Sequence, residues 1–270
     1  MALPQVMVAP NGARLGKSDH PAIPITLEEI VDCAALCHAA GAGGLHLHLR
    51  DDAGGHLLDA DAYRRAISAL KDRCPDLLVQ ATTEAAGIYA PPVQRHVALT
   101  SGATHLSASV REICRDPAPA PQFYRDCTAQ GIEIQHILYD VADARLLLSV
   151  LPPAHIRSPE LQLLFVLGRY SDSQVSHPHD LDPFLVWLGD MGIRPDWAVC
   201  AFGPHETDCL LYAAEKGGKC RIGFENSRYN RNGSRAESNQ ERVAELVGFL
   251  RSRHLIGSAR TKGRSCAQAV

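Results

Sequence analysis

The chain has 270 residues, 46% of them hydrophobic, with a formal net charge of −3 and a pI near 6.5. That length accommodates one large α/β domain or two small ones, and the lack of any long like-charge run excludes an electrostatic grip on nucleic acid or an anionic membrane. Nine cysteines, scattered without a Cys-x-x-Cys pair, exclude a disulfide framework and a structural zinc knuckle, and they point to a reducing, cytoplasmic setting.

The opening MALPQVMVAPNGAR has neither a basic start nor a signal-length apolar core, and no apolar run approaches a membrane span, so a soluble, unexported protein is expected. Eight short apolar or β-branched runs then alternate with stretches of helical periodicity. The first strand is predicted over 5–9 and its helix over 26–40; the second pair is 44–49 and 59–73, the third 77–82 and 91–101. The fourth is 104–109 and 117–130, the fifth 133–139 and 141–151, and the sixth 162–167 and 180–191. The seventh is 197–202 and 205–216, and the eighth 219–225 and 238–253. Thr26 three residues before Glu29 makes a capping box, Asp59 and Asp180 can accept from first-turn amides, and Gly41, Gly131 and Gly217 suit helix C-caps.

Eight βα units in about 250 residues predict a (β/α)8 TIM barrel, with residues 1–254 as a single catalytic domain. No G-x-G-x-x-G follows the first strand, which removes the main fingerprint of the open, doubly wound alternative. The small, polar and basic stretch 255–270 is expected to be a tail, flexible or lying on a neighbouring subunit.

Barrel active sites lie at the C-terminal ends of the strands, so the strand list becomes a site list. In GGLHLHLRDD, alternation puts His46, His48 and Arg50 on one face and Leu45, Leu47 and Leu49 on the other. The leucines suit the helix side, which sends the histidines inward, about 6.5–7 Å apart at Cα and able to converge on one ion. A lone His-x-His is equally read as a packed pair, so a third ligand decides. In RIGFE, alternation groups Arg221, Gly223 and Glu225, and a carboxylate pointing into a barrel mouth must be paired or metal-bound. His46, His48 and Glu225 are therefore expected to hold Zn2+ or another divalent ion, with an open position for substrate or water.

His105 and His136, on the fourth and fifth strands, would resemble the amidohydrolase pattern if they pointed inward. That superfamily carries its His-x-His on the first strand and closes with an aspartate, so both are read as core residues here. His96, His155, His177, His179, His205 and His254 read as loop or surface residues. In TTEAAG, Glu84 offers a carboxylate for acid–base work, and the hydroxyls of Thr82 and Thr83, with Ser107 on the fourth strand, are candidates for substrate contact. In NSRYNRNGSR, Arg228, Arg231 and Arg235 are either a grip for a phosphate-bearing group or a solvated loop.

Six stretches in order carry a family resemblance: NGA…KSDHPAIPITLEEI after the first strand, GLHLHLRDDAG on the second, QATT on the third, FVLG on the sixth, RIGFEN on the eighth and AESN opening the last helix. Over about 6–253 the chain resembles the zinc-dependent β-keto acid cleavage enzymes, typified by 3-keto-5-aminohexanoate cleavage enzyme. The resemblance implies a homotetrameric barrel with the metal on His46, His48 and Glu225. It implies condensation of a β-keto acid with acetyl-CoA and a retro-Claisen step giving acetoacetate and a new CoA thioester. It further implies a catalytic arginine at Arg221 and a hydroxyl at Thr82 that bonds substrate or tetrahedral intermediate, while Arg228 and Arg231 become candidates for holding CoA.

Three acids of the family pattern are missing. Asn226 stands where the family has an aspartate paired with the arginine, Arg14 replaces a glutamate, and Gln135-His136-Ile137 replaces a segment with a further acid. Those missing glutamates bind the substrate's ammonium group in the aminohexanoate enzyme, so an aminated substrate is not expected. Arg14 should favour a neutral or anionic β-keto acid. Glu84, where the family usually has glycine, is expected to supply the carboxylate that Asn226 cannot. Two alternatives stay open: a zinc-dependent hydrolase using the same three ligands, and a catalytically impaired member acting as a binding protein.

Overall fold

The computed structural model describes residues 2–171 and 173–257. Its strands, in chain order, are β1 (Val6–Val8), β2 (Gly44–Leu47), β3 (Leu49–Arg50), β4 (His56–Leu57) and β5 (Leu78–Thr82). They continue with β6 (His105–Ser109), β7 (Glu133–Leu138), β8 (Gln162–Leu167), β9 (Asp196–Ala201) and β10 (Lys219–Ile222). Eight close into a barrel in the order β1-β10-β9-β8-β7-β6-β5-β2, with every described pairing parallel. The fold is the (β/α)8 TIM barrel that the alternation of elements predicts. Closure is made by β1, where Met7 pairs with Gly44 on one side and Arg221 on the other.

Two predicted strands end two or more residues early. The second stops at Leu47, because Leu49–Arg50 leaves the barrel to pair antiparallel with His56–Leu57. The eighth stops at Ile222, because Gly223 adopts φ +145°, and a side chain there would bring a Cβ within 2.3 Å of the Ala9 carbonyl oxygen. All eight predicted helices form, with short extra turns at Val110–Ile113, Pro153–Ile156 and Pro178–Leu181. Thr26 and Glu29 close their capping box, and Asp59 caps the helix Ala60–Arg73 through the Ala62 amide. Asp180 instead sits in the 3-10 turn Pro178–Leu181 and accepts from the His177 amide, since the following helix starts only at Asp182.

The period of two along each strand divides the core. Leu45, Leu47, Leu163, Phe165 and Leu167 face the helices in one large cluster. Inside the barrel, Ile137, Leu164, Val166, Ala198 and Cys200 make a small apolar cluster on the β7–β9 side. The β2, β5 and β10 side is polar, with His46, Gln80, Thr82 and Arg221 all buried. Water is thus kept from one wall, and the buried polar groups of the other must find partners or a ligand. From residue 258 onward the tail expected at 255–270 lies outside the described residues. Among the described residues no helix is long and apolar enough to cross a membrane.

Candidate metal centre and active site

His46 points into the barrel because its neighbours Leu45 and Leu47, both fully buried, take the helix side. His48 follows the end of β2, yet its ring converges with that of His46, placing the two Nε2 atoms 3.1 Å apart. The Glu225 carboxylate completes the group, 3.7 Å from His46 Nε2 and 3.9 Å from His48 Nε2. One donor atom from each of the three residues lies within 4.8 Å of the others. Strand alternation does not aim Glu225, since it lies three residues past β10. A turn does: the Glu225 amide donates to Ala9 O at 3.1 Å and the Asn226 amide to Gly223 O at 2.9 Å.

These donors suit a divalent ion on their chemistry. Burial, with the Arg221 charge next, lowers the His46 pKa to about 4, and burial followed by His46 itself keeps His48 well below the usual imidazole range. Both rings are therefore neutral at pH 7, the form that ligates a metal. A chain of amides also fixes the His46 tautomer. The Leu163 carbonyl can only accept, so it takes Gln135 Nε2 at 3.3 Å; Gln135 Oε1 then takes Gln80 Nε2 at 3.0 Å. This leaves Gln80 Oε1 to accept from His46 Nδ1–H at 2.9 Å, so that His46 Nε2 carries its lone pair toward Glu225. Glu225 Oε2 is buried and lacks a hydrogen-bond partner among the described residues.

Above this group opens a cavity of about 380 Å³. Of the residues singled out from sequence, Arg14, His46, Thr82, Glu84, Arg221, Glu225, Asn226 and Arg228 line it. Arg221, buried on β10, donates from Nη2 to Glu225 Oε1 at 3.2 Å, while its Nε and Nη1 have no hydrogen-bond partner among the described residues. Glu84, just past β5, lies 3.8 Å from His48 Nε2 and 3.9 Å from the Arg169 guanidinium. Burial first, then the Glu225 and Glu112 charges, raise its carboxyl to about 7.

Four expected contacts fall elsewhere. Thr83 alternates away from Thr82, and its hydroxyl donates to Ser107 O at 3.0 Å. Ser107 is buried one pleat deeper than Ser109, which takes its place in the cavity wall. Arg231 pairs with Asp208 at 2.7 Å and stacks over Phe249, while Arg235 donates to the Asp19 carbonyl, so neither reaches the cavity. His136 faces outward against Tyr124, and His105 opens β6 at the opposite end of the barrel, 3.6 Å from Glu133. Arg50, grouped with the histidines by alternation, ties down the loop after β1 by donating to the carbonyls of Asn11, Gly12 and Leu15.

Residues not singled out from sequence also shape the site. Arg169, two positions past β8, enters the cavity wall with its guanidinium 5.0 Å over the Phe202 ring. Its position at a strand's C-terminal end was the available signal. Gln80 shares the inward face of its strand with Thr82, which was the signal for that residue.

A family model described as beta-keto acid cleavage enzyme matches residues 5–256. The chain is 27% identical to the 3-keto-5-aminohexanoate cleavage enzyme of Acetoanaerobium sticklandii over 243 residues, 87% of each chain. It is 22% identical to the 3-oxoadipate:acetyl-CoA acetyltransferase of Cupriavidus necator over 255 residues, 90% of this chain and 87% of that one. Among solved structures, the apo structure of ObcA is similar at TM-score 0.62 and 15% identity, over 87% of this chain, which spans 63% of that longer protein. KGPDC from Streptococcus mutans gives TM-score 0.54 at 15% identity, over 94% of this chain and all of that one. The structural likenesses, at such low identity, concern the fold, whereas the family match covers nearly the whole barrel: this chain belongs to the β-keto acid cleavage enzyme family.

Proposed function

We propose that this chain is a metal-dependent β-keto acid:acetyl-CoA acyltransferase acting on an anionic β-keto acid rather than an aminated one. The observation that carries this reading is the convergence of His46, His48 and Glu225 beneath a cavity whose wall also holds Arg14, Arg169 and Arg221. A divalent ion such as Zn2+ on those three ligands would supply Lewis acidity to a substrate keto oxygen.

The remaining work belongs to the chain's own side chains. An arginine does not give up its proton, so Arg221 orients and stabilises negative charge, and the Glu84 carboxylate takes the proton from the substrate α-carbon. That carbon bonds to the acetyl carbonyl carbon, and CoA leaves as thiolate. The thiolate then adds to the original keto carbon, whose bond to the α-carbon breaks. Acetoacetate departs once the α-carbon recovers a proton, and the rest of the substrate leaves as a new CoA thioester. Thr82 bonds substrate or the tetrahedral intermediate. In this reading Arg228, which lines the cavity wall 3.6 Å from Asp19, meets CoA, and Arg231, paired with Asp208, has no part in it.

Arg14 carries the substrate preference. It is exposed at the cavity wall, without an ion pair or hydrogen bond among the described residues, and Arg169 adds a second positive charge nearby. A cationic substrate end would meet like charge, whereas a carboxylate would be held. A homotetramer in the cytoplasm completes the reading, and light scattering on the purified chain checks the assembly.

The test is turnover against a panel of β-keto acids with acetyl-CoA, with metal analysis on the same sample. A keto diacid should outperform its aminated analogue, and activity should need both the metal and the thioester. Release of product without acetyl-CoA would favour the hydrolase instead, and no turnover across the panel would favour a binding protein.

A further inference from the structure

Asn226 follows the ligand Glu225, and its side-chain amide is not free to turn. Its Nδ2 donates to Glu206 Oε1 at 3.1 Å and to Arg221 O at 3.2 Å, both of which can only accept when Glu206 is ionised. Rotating the amide by half a turn would set an oxygen against those two oxygens, so the orientation is dictated by the network. The Asn226 Oδ1 atom is left buried, without a hydrogen-bond partner among the described residues, on a side chain that lines the cavity.

Glu206 is itself rigidly held. It opens the helix Glu206–Glu215, is fully buried, and pairs at 2.8 Å with the equally buried Arg242 of the last helix. It also accepts from the Gly223 amide at 3.2 Å. One carboxylate therefore grips both ends of the turn from Gly223 to Asn226, the turn that aims Glu225.

We propose that Glu206 is a positioning residue that fixes Asn226 as a hydrogen-bond acceptor toward the cavity, so that an aspartate cannot function at position 226 while Glu206 is present. A carboxylate at 226 would face the Glu206 carboxylate with no donor between them and push apart the turn that carries Glu225. The inference rests on the proposed reaction only for its activity arm.

A double-mutant cycle tests it in the full chain: Asn226→Asp, Glu206→Gln, and the two combined, compared by thermal unfolding at pH 8 and by kcat and KM with acetyl-CoA. Asn226→Asp alone should lower Tm by about 5 °C and kcat/KM by roughly tenfold to a hundredfold. In the combined variant the amide introduced at position 206 can donate to the carboxylate introduced at position 226, so both losses should be smaller than the sum of the single-variant losses, part of which comes from the broken pair with Arg242, with recovery mainly in kcat. Asn226→Asp matching the unsubstituted chain in Tm with Glu206 in place would overturn the proposal, as would strictly additive losses in the combined variant. Should no β-keto acid be turned over by the unsubstituted chain, the proposed function fails while the Tm cycle still decides whether Glu206 governs position 226.

Discussion

Gly12 packs directly against Glu225: its backbone sits at φ +58°, and a Cβ there would fall 2.6 Å from Glu225 Cγ. The loop after β1 thus forms one side of the slot that holds Glu225, and Arg50 pins that loop from below through the Asn11, Gly12 and Leu15 carbonyls. Gly12→Ala should displace the Glu225 carboxylate, with added strain from the left-handed backbone. Metal affinity is expected to fall about tenfold to a hundredfold while the barrel stays folded. Competition with a chromophoric chelator, beside circular dichroism, checks both halves; unchanged affinity would mean Glu225 is not a ligand.

Gln80 is expected to matter for the metal without touching it. With Gln80→Leu, His46 Nδ1–H loses its acceptor and the ring loses the bond that fixes its tautomer. Zinc affinity should drop by about tenfold or more, with the larger part appearing as faster metal loss. Dissociation into excess chelator, followed by stopped flow, provides the measurement, and Gln80→Glu should retain much of the affinity because it keeps an acceptor for His46.

Glu84→Gln should slow α-proton exchange into deuterated buffer by about 10²–10⁴-fold while leaving metal content intact. The side chain keeps its size and its place 3.8 Å from His48, but cannot accept a proton. Exchange at the unaltered rate would assign the proton transfer to another group.

His136 is expected to make stability depend on pH. Burial, followed by the nearby His155, lowers its pKa to about 3, and neither ring nitrogen has a hydrogen-bond partner among the described residues. The folded chain therefore refuses a proton that the unfolded chain accepts below about 6.5. The stability tied to the neutral ring is complete above that value and is lost as pH falls from about 6.5 toward 3, at up to about 1.4 kcal/mol per pH unit. Between pH 7 and pH 5 the unsubstituted chain should lose about 2 kcal/mol more than His136→Leu. Urea unfolding of both at the two pH values checks this, and parallel losses would show that His136 takes no part.

Much of the barrel was legible because its signals are local. A period of two along a strand, a helical period between strands and caps such as Thr26 with Glu29 involve residues within one turn or pleat of each other. The same period sent His46 inward, since Leu45 and Leu47 needed the helix layer. Asn226 and Arg14 were recognised from sequence as departures from the family pattern, but not what surrounds them.

The remainder depended on closure of the barrel. Glu225 was singled out on strand alternation, yet it is aimed by a turn after Gly223, whose geometry is set by the Ala9 carbonyl at the other end of the chain. Thr83, Ser107 and Arg231 carry the right chemistry, but the pleat and the Asp208 partner turn them from the cavity. Arg169 enters it because β8 stands across the barrel from β2, and Glu206 reaches Asn226 only once its helix packs behind β10. Sequence by itself determined which faces are apolar and which residue types could bind a metal, because those follow from neighbours along the chain. The tertiary structure decided which donors meet, because that depends on contacts between segments more than two hundred residues apart, such as Gly12 and Glu225.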